Sequence, residues 1–186
     1  MLTGIGGQSV QLAAQILARA AIHEGREVML LGSYGGSMRG SNTDSTLVVS
    51  DRPIESPPIV ANTWAAIAMH HAFWAGTAAK LRPGSVVVVN SSIFEAPLDR
   101  EAQRVFEVPA TKIATELGSP LAASLVLAAA FAGLTQLVGI EALVEGMRQS
   151  VPPYRRQHLE ANEKALRAGY AKLPAAGTAA AWQAAA

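Results

Sequence analysis

MLTGIGGQSVQLAAQILARAAIHEGREVMLL, residues 1–31, reads as a strand–helix–strand unit. Met1 to Thr3 is the stub of a strand running into a glycine turn, Gly4-Ile5-Gly6-Gly7. From Gln8 to Glu24, Val10, Leu12, Ala13, Ile16, Leu17 and Ala20 recur at the spacing that lines one face of a helix. Gly25 stands where a glycine closes a helix in the left-handed conformation. Val28 to Leu31 is a short continuous apolar run bounded by turn residues, the pattern of a strand buried on both faces. A helical crossover between two strands predicts a parallel pairing.

Beyond this unit the pattern repeats and then changes. Residues 32–44, GSYGGSMRGSNTD, are rich in Gly, Ser and Asn and read as a loop. Ser45–Ser50 returns as a strand, and Asp51–Pro58, with three prolines, is irregular. Thr63–Met69 reads as a strand and His70–Leu81 as a helix stopped by Arg82-Pro83-Gly84. Val86–Val89 is four consecutive valines and the clearest strand of all. Val105–Val108 is a further short strand. Apolar periodicity then predicts helices over 111–117, 120–138, 140–149 and 153–172. The expected fold is α/β: a mainly parallel sheet with flanking helices and a helical C-terminal third. One domain spans residues 1–173, and 174–186 is a low-complexity alanine-rich tail.

Composition bounds the function. With 186 residues and 50% apolar content, the chain is long and greasy enough for one core. Fifteen basic against 14 acidic residues leave a formal charge of +1, so no electrostatic footprint for nucleic acid or an anionic membrane is visible. There is no cysteine, hence no disulfide, thiolate metal site or cysteine nucleophile. No run reaches the roughly 18 apolar residues of a membrane span. No signal peptide is legible, and a cytoplasmic protein is expected.

Two loops carry the candidate chemistry. The glycine turn presents backbone N–H groups at a helix N-terminus, a geometry suited to phosphate. As a dinucleotide fingerprint it is incomplete: Ser9 stands at the third glycine position, and Leu30-Leu31-Gly32 replaces the ribose-binding acid. A tight turn with close helix packing explains the same glycines, and both readings stay open. The second loop, Tyr34-Gly35-Gly36-Ser37-Met38-Arg39-Gly40-Ser41, leaves a strand end on the same side and should lie beside the first. Arg39 offers planar donors for phosphate or carboxylate, or a tie to the loop's own carbonyls or Asp44. His70 and His71, about 100° apart on a helix, do not face one metal, and His23 and His158 are isolated. Ser91-Ser92 lacks the glycines of a nucleophile elbow. Trp64, Trp74 and Trp182 are candidates for core or interface anchors.

Taken together, several ordered motifs resemble the gamma subunit of the 2-oxoacid:ferredoxin (acceptor) oxidoreductases. They are Gly4-Ile5-Gly6-Gly7-Gln8-Ser9-Val10, Ser33-Tyr34-Gly35-Gly36-Ser37-Met38-Arg39-Gly40 and Val49-Ser50-Asp51-Arg52-Pro53-Ile54-Glu55-Ser56-Pro57. Pro83-Gly84, Asn90-Ser91-Ser92, Val108-Pro109-Ala110-Thr111, Glu116-Leu117-Gly118, Asn162, Ala165-Leu166 and Ala168-Gly169-Tyr170 continue the likeness. Ser9 departs from a family glycine, Gly36, Ser37 and Ser41 differ within the second loop, and Ser124 replaces a family asparagine.

The resemblance implies a subunit without covalent chemistry of its own. In such enzymes thiamine diphosphate, Mg2+ and [4Fe-4S] clusters belong to partner subunits, catalytic and ferredoxin-like. The complex oxidatively decarboxylates a 2-oxoacid to an acyl-coenzyme A. This chain is expected to face coenzyme A or its partners through Gly4, Gly6, Gly7, Gln8, Ser9, Tyr34, Gly35, Met38, Arg39 and Gly40. The alternative is a stand-alone nucleotide-binding or scaffolding module.

Overall fold

The structure is a computed structural model that describes residues 1–36 and 40–173. Its strands are β1 (Leu2–Ile5), β2 (Glu27–Tyr34), β3 (Asn42–Ser50), β4 (Thr63–Ala68), β5 (Leu81–Asn90) and β6 (Arg104–Val108). Its helices are α1 (Val10–His23), α2 (Trp74–Ala78), α3 (Ala110–Glu116), α4 (Ala123–Thr135), α5 (Ile140–Ser150) and α6 (Leu159–Tyr170). The strands form one sheet in the order β2-β3-β1-β4-β5-β6. β1 with β4, β4 with β5 and β5 with β6 pair parallel, while β3 is antiparallel to both its neighbours. The sheet is thus mostly parallel, and the C-terminal third is helical.

The strand–helix–strand unit at the start is present but split. β1 and β2 run in the same direction, yet β3 lies between them. β2 is therefore an edge strand: Leu31 to Tyr34 are exposed and Val28 to Leu30 only half-buried, against the expectation of burial on both faces. The reason is non-local. Residues 32–34, too polar to suggest a strand, pair with β3, and 42–44 pair also with β1, so the expected loop 32–44 shrinks to residues 35–41. The expected helix His70–Leu81 is also shorter, since only Trp74–Ala78 is helical and Leu81 already belongs to β5.

Alternation along the central strands divides two cores. Ala65, Ile67, Met69, Val86 and Val88 face α1, α4 and α5, whereas Ala66, Ala68, Val87 and Val89 face Trp74 and Phe94. The first layer holds most of the buried surface. α4 lies at its centre with all 13 residues buried, which its alanine-rich sequence permits by letting neighbouring helices approach. Gly133 and Gly169 mark the α4–α6 crossing, where Cβ atoms would meet the carbonyl oxygens of Tyr170 and Val126. Trp74 is buried, and Trp64 is half-buried with its ring 5.8 Å from that of Phe131. Trp182 and the rest of the expected tail lie outside the described residues. On the surface, Arg167 joins Glu141 on α5 to Glu163 on α6, at 2.8 and 2.9 Å.

The α-amine of Met1 continues the β1–β4 ladder, donating to the Ala65 carbonyl at 2.8 Å. Burial pushes it from its ordinary 8.0 down to about 5. Between those values the unfolded chain binds more protons than the folded one, so stability falls as pH drops. The melting temperature of the chain starting at Met1 is expected to decline from pH 8 to pH 5, and N-terminal acetylation to flatten that slope. Scanning calorimetry of both forms measures it; equal slopes would refute the assignment.

Candidate functional site at the carboxyl edge of the sheet

α1 leaves β1 across one face of the sheet, while α2 leaves β4 across the other. Neighbouring strands whose connections depart on opposite faces leave a crevice between their carboxyl ends, where open α/β sheets bind ligands. Here the glycine turn follows β1 and Met69-His70-His71 follows β4.

The glycine turn is held by its own side chains. Gln8 accepts a hydrogen bond from the Ile5 N–H at 3.1 Å through Oε1, and its N–H donates to the Ile5 carbonyl at 3.2 Å. Gly4 is buried for a packing reason: a Cβ there would lie 2.8 Å from Val10 Cγ2 and 3.0 Å from Met69 Cβ. Gly7 has φ of 103° and Ser9 of 58°, both left-handed. A serine in that region costs roughly 1–2 kcal/mol relative to glycine, so Ser9 holds a conformation its residue type does not favour. Ser9 makes no side-chain cap to α1, and no acid stands in the helix's first turn.

The two loops expected to be neighbours are joined directly. The Gly6 N–H donates to the Ser41 carbonyl at 2.8 Å, and the Gly35 N–H to the Asn42 carbonyl at 2.8 Å. Asn42 Nδ2 donates to Asp44 Oδ2 at 2.8 Å, and Gln11 Nε2 to the Asp44 carbonyl at 2.7 Å, tying β3 to α1. Tyr34 is 68% exposed, and Gly35 and Gly40 are exposed beside it. Met38 and Arg39 lie outside the described residues. The structure therefore brings Gly6, Gly7, Gln8, Ser9, Gly35 and Gly40 to one edge, and places Gly4 beneath them in the packing.

The expectation that His70 and His71 lie about 100° apart on a helix does not hold. His70 and His71 sit between β4 and α2, not within a helix, with ring centroids 4.3 Å apart. His70 Nδ1 accepts the Ala72 N–H at 3.0 Å, and His71 Nδ1 lies 3.1 Å from the Ile93 carbonyl. Burial, then the neighbouring His71, lower the His70 pKa against a smaller opposing pull from Glu95. The signal that would have placed them there is position: they follow the carboxyl end of a central strand. Further along the edge, buried Asn90 clamps Thr111 at the start of α3 through both its amide groups. Ser92 Oγ accepts the Lys112 N–H at 3.2 Å.

Among the described residues no three His, Asp or Glu side chains converge on a metal site. With no cysteine in the chain, iron–sulfur clusters of the thiolate type find no ligands here, and these residues do not fit such groups. No helix of the described residues is long and apolar enough to cross a membrane. What this edge offers is a set of backbone donors at a helix N-terminus, suited to an anionic group.

Comparison with known proteins gives this geometry its context. The sequence profile of the family described as pyruvate ferredoxin/flavodoxin oxidoreductase matches residues 1–172. The 2-oxoglutarate synthase subunit KorC of Methanocaldococcus jannaschii is 30% identical over 154 residues, covering 81% of this chain and 82% of the relative. The pyruvate synthase subunit PorC of Methanothermobacter marburgensis is 28% identical, covering 94% and 96%. The crystal structure of a keto/oxoacid ferredoxin oxidoreductase gamma subunit from Geobacter sulfurreducens superposes with a TM-score of 0.77. It is 27% identical, with 92% and 95% of the two chains covered. The split unit, the glycine turn and the helical C-terminal layer thus belong to a shared architecture, and this chain is a member of the pyruvate ferredoxin/flavodoxin oxidoreductase family, a gamma-type subunit of the 2-oxoacid:ferredoxin oxidoreductases.

Proposed function

We propose that this chain forms the coenzyme A-facing and subunit-joining part of a cytoplasmic complex that oxidatively decarboxylates a 2-oxoacid to an acyl-coenzyme A. Thiamine diphosphate and Mg2+ reside in catalytic partner subunits, and the [4Fe-4S] clusters in a ferredoxin-like one. The chain supplies no covalent chemistry and is inactive alone. Residues 1–173 act as its single working domain.

The observation that carries this reading is the Gly6–Ser41 hydrogen bond of 2.8 Å, which locks two glycine-rich loops side by side at the carboxyl edge. Backbone donors of the glycine turn meet a phosphate or carboxylate, and Arg39 adds planar, charge-assisted donors from the adjoining loop.

Isolation of the complex from source cells, with iron and thiamine analysis, tests the assembly. Arg39→Ala then tests the contact. It is expected to raise the Michaelis constant for coenzyme A about tenfold, as loss of one charge-assisted contact does, or to release the chain from the complex. Recovery of the chain alone as a cofactor-free oligomer would make the stand-alone module the better reading. An Arg39→Ala complex with unchanged assembly and Michaelis constant would remove Arg39 from the site.

A further inference from the structure

His70 and His71 follow the carboxyl end of β4, on the edge that carries the glycine turn. A Cβ on Gly4 would touch Val10 Cγ2 at 2.8 Å and Met69 Cβ at 3.0 Å, so the residue before His70 packs beside the first turn of α1. The two imidazoles stack with centroids 4.3 Å apart, and Phe94 stands edge-on to His71 at 6.3 Å. Phe94 is braced in turn by buried Trp74, edge-on at 5.7 Å. Backbone groups engage the Nδ1 atom of each histidine. Both rings are half-buried, yet neither Nε2 has a partner among the described residues and neither is sealed from solvent.

These backbone partners fix the rings in opposite tautomers. The Ala72 N–H donates to His70 Nδ1 at 3.0 Å, so that nitrogen holds a lone pair and the proton sits on Nε2. The Ile93 carbonyl, 3.1 Å from His71 Nδ1, can only accept, so there the proton sits on Nδ1 and the lone pair on Nε2. The Glu95 N–H approaches the same nitrogen only to 3.4 Å and is the weaker contact. The pair therefore offers one N–H and one base. Protonating His70 would set an Nδ1–H against the Ala72 N–H, whereas protonating His71 at Nε2 leaves its bond to Ile93 intact. Burial and then His71 oppose a charge on His70, with Glu95 the smaller counterweight. α2 brings no titratable side chain to the pair, and no acid stands in the first turn of α1. A metal held by both rings meets the same obstacle, since His70 has no free lone pair at Nε2.

We propose that His70 and His71 form a phosphate site, in which His70 donates its Nε2–H and His71 takes up a proton at Nε2 as the phosphate dianion binds. The uptake forms one N–H bond at His71; the proton comes from solvent, and no bond of the ligand breaks. Centroids 4.3 Å apart keep the two Nε2 atoms within about 7 Å whatever the ring rotation, a span that one phosphate covers with two hydrogen bonds of about 2.8 Å. A dianion supplies the field that charging His71 requires, and its several oxygens meet both nitrogens at once. Free phosphate and a phosphate of coenzyme A share this chemistry. Naming the second source rests on the reading of this edge as coenzyme A-facing; the phosphate site itself does not.

Nitrogen NMR of the full chain, labelled at histidine, reads the tautomers directly. In the free chain His70 is expected to carry its proton on Nε2 and His71 on Nδ1. Sodium phosphate, set against sodium chloride of equal ionic strength, is expected to convert His71 to the imidazolium and leave His70 neutral. Because the bound form holds one more proton than the free form, phosphate affinity is expected to fall by up to about tenfold per pH unit between the free and bound His71 pKa values. His71→Phe keeps a ring in the stack and is expected to abolish that slope. His70→Phe is expected to weaken binding about tenfold and keep it. Coenzyme A and dephospho-coenzyme A separate the sources. The His71 signature with either assigns the phosphate to the coenzyme; the signature with inorganic phosphate alone assigns the site to free phosphate and counts only against the coenzyme A reading. Three results would overturn the proposal: the same tautomer in both free rings, no phosphate-specific change at His71, or a His70 that charges before His71.

Discussion

Gly169→Ala is expected to lower the folding stability by about 4 kcal/mol or more, among the largest effects of any single methyl group in this chain. The added Cβ would sit 2.1 Å from the Val126 carbonyl oxygen and 2.8 Å from its carbonyl carbon, in the middle of the α4–α6 crossing. Neither partner yields easily. The obstacle is backbone within a helix whose every residue is buried, so relief requires moving α6 bodily away from α4. Overpacking of that kind consumes much of the roughly 5–15 kcal/mol that a domain possesses. For a chain of this length the melting temperature is expected to fall by about 10 °C or more. Gly76→Ala is the matched control, because a Cβ on that short helix meets nothing within 4 Å. Thermal unfolding of both variants decides the matter. A Gly169→Ala chain as stable as the control would mean that α4 and α6 do not cross as described. The same clash sits at Gly133, whose Cβ would lie 2.3 Å from the Tyr170 carbonyl oxygen, so each helix contributes one glycine to the contact.

Ala129→Asp is expected to be at least as damaging, through a different cost. Ala129 is fully buried, and both its neighbours along α4, Ala128 and Ala130, are equally enclosed. No face of the helix leads to water, so the new carboxylate would lose its hydration without gaining a partner. The group responds by holding its proton. Its folded-state pKa rises above the unfolded value, and the destabilisation therefore grows as pH increases through the carboxylate range. Denaturant titrations at pH 5 and pH 8 should show a loss of about 3–5 kcal/mol or more, greater at pH 8. Ala129→Ser should cost markedly less. A pH-independent penalty for Ala129→Asp would point to a steric rather than an electrostatic origin.

These two predictions come from opposite kinds of information. Apolar periodicity predicts a helix over 120–138, and the structure adds that α4, Ala123–Thr135, is buried on every side. Nothing in the sequence located the partner of Gly169, since α4 and α6 are separated by α5 and one short 3-10 turn. The candidate site divides in the same way. The glycine turn and the polar loop were legible because positive φ and close approach leave few residue types able to occupy them. Their hydrogen-bonded contact was foreseen only as nearness at strand ends. His70 and His71 were placed on a helix over residues 70–81, whereas they follow the end of β4 and precede α2, a boundary set by the sheet and not by local periodicity.

What the sequence by itself determined is therefore local: the elements β1, α1, β5 and α4, the glycine turn, the α/β class, and the family that the ordered motifs resemble. Each element depends on residues within a few positions of one another, where periodicity, β-propensity and turn chemistry act directly, and the resemblance depends on the order of such local motifs along the chain. Tertiary structure alone decided the insertion of β3 between β1 and β2, the edge position of β2 and the joining of the two loops. In each case the deciding interaction is a backbone ladder or a helix crossing between distant segments. Polar residues such as Ser33, Thr43 and Asp44 become strand because a neighbouring strand satisfies their main-chain groups, a preference no local stretch carries.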